Sequence, residues 1–237
     1  MEGRPVKLSL SSVEWHAGSW KFRADAAFIP GVHLVSGRVG SGKTTLALLS
    51  SRLLQPIAGT VAYEDIRART LSFQYPEYHI TGSTLSEEAE SYGIDPSAAC
   101  ARAGLAGRED DDPFRLSRGE LKLFQLSCVF MSRWDLLILD EPFSALDCRS
   151  KLAVCRSIDE NRSGIVLVIT HEQHILPKTD YLWEMRSGEL TRLGAVPEAI
   201  TAWESAPGPV RMLREQGVLP ANLTREDMLE AVCRMHE

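Results

Sequence analysis

Two uninterrupted apolar runs, Leu136-Leu137-Ile138-Leu139 and Ile165-Val166-Leu167-Val168-Ile169, constrain this chain more than any other feature. A strand with one face in water alternates apolar and polar residues, whereas a run without alternation is buried on both faces, as in the middle of a parallel sheet. Helices must then cover both faces, so the expected fold class is α/β with a mostly parallel central sheet. Lys7 to Trp15 and Trp20 to Phe28 do alternate, around the turn Ala17-Gly18-Ser19, and read as an antiparallel β edge. Val32 to Ser36 and Arg69 to Gln74 read as further strands, and Thr44 to Leu54 and Leu121 to Met131 have helical spacing. Leu85 to Leu105 reads as short helical pieces broken by Gly93 and Pro96. With 237 residues, 44% of them hydrophobic, one compact unit is expected. Its parts are a core over 1–79 and 132–195, a small helical subdomain over 80–131, and a C-terminal helical extension over 196–237.

Between the strand ending at Ser36 and the helix opening at Thr44 stands Gly37-Arg38-Val39-Gly40-Ser41-Gly42-Lys43-Thr44. It fits G-x-x-x-x-G-K-[ST] in the strand, loop, helix context that this string requires. Glycines let the backbone curl so that N–H groups face phosphate oxygens, and the helix N-terminus adds favourable partial charge. Lys43 is placed for the β- and γ-phosphates, Thr44 for magnesium, and Thr45 continues the cradle. Asp140 and Glu141 follow the first apolar run, at the carboxyl end of a strand, where open α/β sheets bind ligands. Asp140 reads as the second magnesium anchor and Glu141 as the base that orients and deprotonates water.

Charge excludes one class of partner. The formal net charge is -6, from 26 basic and 32 acidic residues, which opposes a broad grip on nucleic acid. No apolar run approaches the roughly 20 residues of a membrane helix, and Met1 to Leu10 lacks a signal-peptide plan, so a cytosolic chain is expected. The five cysteines are odd in number and show no C-x-x-C spacing, so reduced thiols are expected. His171 and His174 are three apart rather than four, which excludes the zinc-protease helix motif.

Further strings narrow the family. Leu116-Ser117-Arg118-Gly119-Glu120 resembles the L-S-G-G-Q signature of ATP-binding cassette (ABC) ATPases, Gln74 the Q-loop glutamine, Ser144 to Asp147 the D-loop, and His171 the switch histidine. With the phosphate loop and acidic strand end they stand in the family's order, from about Val32 to His171. The resemblance implies ATP and Mg2+ as cofactors, Glu141, His171 and Gln74 as catalytic residues, and Thr44, Gln74 and Asp140 around the metal. It also implies a second ABC ATPase subunit, same or different, whose nucleotide Ser117 and Gly119 would meet across a head-to-tail pair. Arg118 and Glu120 depart from the family's glycine and glutamine; their charges are expected to cancel locally and leave a modified, usable signature. Trp15 and Trp20 are equal candidates for the adenine platform.

Phe73-Gln74-Tyr75-Pro76-Glu77-Tyr78-His79 is similar to the F-Q-x-P-x-x-Q string of energy-coupling factor (ECF) ATPases, with His79 in place of the second glutamine. Met212 to Pro220 and the helix after it are similar to that branch's extension, which helps pair two ATPases. Thr224 and Asp227 read as a capping box, Leu223 and Met228 as a hydrophobic staple, and Met228, Leu229, Val232 and Met235 as an apolar stripe facing either its own domain or a partner. Glu109 to Asp112 reads as a solvated loop, and Thr81 to Phe114 is shorter than the family's usual helical subdomain. The resemblance implies an ATP-hydrolysing subunit at the cytoplasmic face of a membrane, serving a transmembrane transporter subunit that moves a vitamin or metal ion and binding no nucleic acid. The alternatives are the ATPase of another ABC importer or exporter, or a non-transport ABC ATPase.

Overall fold

The structure, a computed structural model, describes residues 6–172 and 174–235. Its strands are β1 (Lys7–Ala17), β2 (Trp20–Phe28), β3 (Gly31–Ser36), β4 (Ala58–Glu64), β5 (Arg69–Ser72), β6 (Leu136–Asp140), β7 (Ile165–Ile169), β8 (Tyr181–Arg186) and β9 (Glu189–Ala195). Its helices are α1 (Lys43–Ser51), α2 (Leu85–Ser91), α3 (Pro96–Ala103), α4 (Arg118–Met131), α5 (Cys148–Glu160), α6 (Gly208–Glu215) and α7 (Arg225–Arg234). None of these helices is long and apolar enough to cross a membrane.

Among the described residues the strands form one sheet in the order β4-β1-β2-β9-β8-β3-β7-β6-β5. β8, β3, β7, β6 and β5 run parallel to one another, while β4, β1 and β2 make an antiparallel edge. The two apolar runs are β6 and β7, side by side and buried throughout. Their alternate residues serve opposite cores: Val166 and Val168 pack with α4, α5 and the C-terminal extension, whereas Ile165, Leu167 and Ile169 pack with α1 and the antiparallel edge. A fully buried aliphatic side chain contributes about 1.5–3 kcal/mol, so residues of these two strands are a main source of stability. A third cluster, around Leu85, Cys100, Phe124 and Cys128, holds α2 and α3 against α4.

Boundaries moved where side chains compete for the backbone. The expected helix Thr44 to Leu54 ends at Ser51, because Arg52 turns left-handed (φ 64°). The expected strand Arg69 to Gln74 stops at Ser72, since the Phe73 N–H goes to His79 and the Phe73 carbonyl to Lys122. β4 has no counterpart in the sequence reading: it is an edge strand, mostly exposed, with little apolar pattern. All five cysteines are free, Cys100, Cys128 and Cys155 being buried.

The extension belongs to the domain core. Ala199, Ile200, Trp203, Val210 and Leu223 are buried in the cluster that contains β6 and β7, while Leu213 is buried in α6 and Ala231 in α7. Met228 packs inward, while Leu229 is exposed. The stripe is thus divided, with Met228 on its own domain, Leu229 exposed and Val232 and Met235 half-buried, and Thr224 caps α7 by accepting from the Asp227 N–H. The acidic run is also more structured than a solvated loop: carbonyls of Glu109 and Asp111 accept from Ser86 and Leu85 at the start of α2.

Candidate nucleotide site

The loop after β3 closes on Lys43. Its Nζ donates to the carbonyls of Gly37 (2.8 Å) and Arg38 (3.1 Å) and lies 4.0 Å from Glu141 Oε1. Burial lowers the Lys43 pKa, and Glu141 and Asp140 oppose that shift. Gly42 has φ +113°, and a Cβ there would stand 3.0 Å from the Trp20 ring, so both backbone and space demand glycine. Ser41 Oγ is buried with no hydrogen-bond partner among the described residues. A buried hydroxyl left open costs stability unless a ligand engages it, and here it sits in a glycine-rich loop before a helix N-terminus.

Thr44 Oγ1 donates to Asp140 Oδ2 at 2.8 Å. Asp140 Oδ1 is buried and unpartnered among the described residues, and the Asp140 pKa is raised chiefly by burial, against the Thr44 hydrogen bond. An orphaned carboxylate oxygen beside a hydroxyl is an all-oxygen donor set that fits a hard divalent cation such as magnesium.

Glu141, one residue on, has left-handed backbone (φ 50°) and a side chain only 8% exposed. Its N–H is tied to the Ile169 carbonyl at the end of β7. Oε1 stands 2.6 Å from His171 Nδ1; Oε2 accepts from the Thr170 hydroxyl (3.0 Å) and the His171 N–H (3.3 Å). The carboxylate is thereby aimed into an open cleft of about 370 Å³, lined by Trp15, Trp20, Val39, Gly40, Gly42, Lys43, Thr44, Thr45, Gln74, Glu141 and His171. Gly37, Arg38 and Ser41 face an adjoining cavity. Trp15 and Trp20 both border the cleft as a T-shaped pair with centroids 6.3 Å apart.

Ser117 and Gly119 do not line that cleft. Ser117 caps α4, accepting from the Glu120 N–H, while Glu120 Oε2 accepts from the Ser117 N–H in a reciprocal capping box. The opposite charges of Arg118 and Glu120 are each met by other groups: Glu120 pairs with Arg108 (2.8 Å), and Arg118 pairs with Glu77 (3.6 Å) and lies over the Tyr75 ring. These partners sit on neighbouring loops, whereas the side chains of residues 118 and 120 leave a helix N-terminus in different directions. Gly119 approaches the D-loop of its own chain, where an added Cβ would lie 3.0 Å from the Ala145 carbonyl oxygen.

Two residues escaped the sequence reading. Thr170, 2% exposed, donates to Glu141; nothing in the local sequence sets its hydroxyl apart. Lys122, 1% exposed, donates to the carbonyls of Phe73 (2.7 Å) and Gln74 (3.4 Å), its pKa pushed down to about 8 by burial. A lysine inside an otherwise apolar helical stretch was the available signal. His79 is a half-buried neutral acceptor for the Phe73 N–H at 2.8 Å, its pKa lowered to about 4 by burial and then Lys122.

The profile of the ABC transporter family matches residues 31–144. The energy-coupling factor transporter ATP-binding protein EcfA1 of Thermotoga maritima is 30% identical over 82% of this chain and 84% of its own length. The chain belongs to the ABC transporter family, within which it is similar to ECF transporter ATP-binding subunits. The macrolide export ATP-binding/permease protein MacB of Chromobacterium violaceum is also 30% identical, over 77% of this chain and 33% of that protein. Among solved structures, cbiO1 from Clostridium perfringens, part of the ABC transporter complex cbiONQ, shares the fold with a TM-score of 0.65, 19% identity, and coverage of 88% of this chain and 93% of that one.

Proposed function

We propose that this chain binds and hydrolyses ATP as a subunit of an ECF importer for a vitamin or metal ion. It would work at the cytoplasmic face of the membrane, with a second ABC ATPase subunit and a transmembrane subunit. The observation that carries hydrolysis is the preassembled Glu141 carboxylate, held by Thr170 and His171 and facing the cleft beside Lys43. Lys43 binds the β- and γ-phosphates through charge-assisted hydrogen bonds. Glu141 orients the attacking water and takes its proton, while His171 keeps the carboxylate in place. Thr44 and Asp140 would hold magnesium, with Gln74 at the cleft edge completing its surroundings; the ion supplies charge neutralisation on the phosphate oxygens. Ser117 and Gly119 serve the nucleotide of the paired subunit, since they stand outside the cleft of their own chain.

Similarity to EcfA1 over most of the chain supports the ECF reading, and the exposed Tyr75 and Tyr78, with ring centroids 6.0 Å apart, offer an aromatic contact for a membrane subunit. The MacB similarity favours a second reading, an ATPase of another ABC transporter. The test is purification from detergent-solubilised membranes, followed by ATPase and reconstituted uptake assays. Recovery with a small multi-subunit importer and ATP-dependent uptake supports the first reading; recovery with an export permease supports the second, and absence of magnesium-dependent ATPase rules out both.

A further inference from the structure

Ser36 ends β3 and directly precedes Gly37, the first residue of the phosphate loop. A residue 167 positions further on holds its hydroxyl: Trp203 Nε1 donates to Ser36 Oγ at 2.7 Å. Ser36 Oγ in turn donates to the Trp183 carbonyl at 3.3 Å, so its proton and a lone pair are both engaged. Trp203 is 2% exposed and is itself fixed from behind, its carbonyl accepting from Arg214 at 2.9 Å. The next turn is fixed as well: the Ser205 N–H donates to Glu184 Oε1 at 2.8 Å, and Glu184 Oε2 accepts from Arg186. Glu184, Arg186 and Ser205 also face the cavity bordered by Gly37, Arg38 and Ser41. A buried indole N–H must find an acceptor, and the fold decides which one it finds. Here its one donor is directed to Ser36, the residue from which the loop departs, with Ser205 Oγ as a longer second acceptor at 3.2 Å.

We infer that Trp203 is a positioning residue for the phosphate loop: its hydrogen bond to Ser36 sets where β3 ends and so the path of Gly37 to Thr44. This rests on the reading of that loop as the ATP site. The C-terminal extension then acts on ATP affinity within its own subunit, whatever it does between subunits.

The test uses the full chain. Trp203→Phe keeps a buried ring and deletes the N–H; Ser36→Ala deletes the acceptor. Binding of Mg-ATP and of adenosine is measured by calorimetry, with kcat, KM and melting temperature. Each variant is expected to weaken ATP binding about 3- to 10-fold, the worth of one hydrogen bond, with kcat at saturating ATP and adenosine affinity nearly unchanged. The double variant should bind no worse than the weaker single one, because both remove the same bond. Unchanged ATP affinity with a lowered melting temperature makes Trp203 core packing and overturns the inference, as do additive losses in the double variant. If Trp203→Phe does not fold, Ser36→Ala alone decides by the same readouts. A wild-type chain that binds no ATP overturns the reading of the loop as well.

Discussion

His171 Nδ1 stands 2.6 Å from Glu141 Oε1, joining the loop after β7 to the end of the neighbouring β6. The carboxylate is fixed from both sides, since Thr170 donates to its other oxygen. Glu141→Gln is therefore expected to leave ATP binding nearly intact and slow hydrolysis about 10²- to 10⁴-fold, the usual worth of a positioned base. Single-turnover hydrolysis with radiolabelled ATP measures it; a rate near wild type would move the base elsewhere.

Lys43→Ala removes the cation that spans the loop from Gly37 to Arg38. ATP affinity should fall by at least about 10-fold, as expected for loss of a charge-assisted bond, while the melting temperature stays close to wild type because the core lies elsewhere. A folded variant with unchanged affinity would contradict the assignment.

The signature can be probed at two adjacent positions. Gly119→Ala places a methyl 3.0 Å from the Ala145 carbonyl oxygen, so the start of α4 must shift against the D-loop, and turnover in the assembled transporter should drop. Arg118→Gly breaks only an exposed pair with Glu77 and a contact with Tyr75, with a stability change of about 1 kcal/mol or less. A rise in its turnover would mark Arg118 as a brake, and a sharp fall would mark it as a phosphate contact.

Removing the extension from Ala206 should lower the melting temperature strongly, because Val210 and Leu223 are buried with the central strands and Leu213 is itself fully buried. Leu213→Ala alone should cost about 2–5 kcal/mol in denaturant unfolding, and Leu229→Ala, at an exposed position, almost nothing. Normal melting after truncation would show that the extension is peripheral.

Acid should destabilise the fold through two histidines. His33 accepts from Trp183 Nε1 at Nδ1 and meets the Ile29 carbonyl at Nε2, and His79 accepts from the Phe73 N–H, so both are neutral. Burial pushes each pKa from the ordinary 6.5 to about 4. The unfolded chain takes up these protons near pH 6.5 and the folded chain only near 4. Their contribution is therefore intact above 6.5 and is lost as pH falls through that window, at up to about 1.4 kcal/mol per pH unit for a fully buried ring. Melting curves from pH 7 to 4 should slope downward, less steeply for His79→Gln; a flat profile would refute the neutral assignments.

The sequence by itself determined what depends on neighbours along the chain. Continuous apolar runs specify doubly buried strands, Gly37 to Thr44 specifies a turn before a helix, and Ser117 with Glu120 specifies a helix start. Of the cleft residues, Lys43, Thr44 and Glu141 were legible from short strings with their own local chemistry, and Gln74 and His171 only from the resemblance of the motif order to the ABC family. Only tertiary structure decided the pairings: Arg118 with Glu77 rather than Glu120, Lys122 with the Phe73 carbonyl 49 residues away, and Trp203 with Ser36 across 167. Polarity and periodicity tell which face of an element is buried, but a buried donor is matched to its acceptor by the register of strands and the packing of helices upon them. That matching turned the extension inward and made an apparently plain serine the anchor of the phosphate loop.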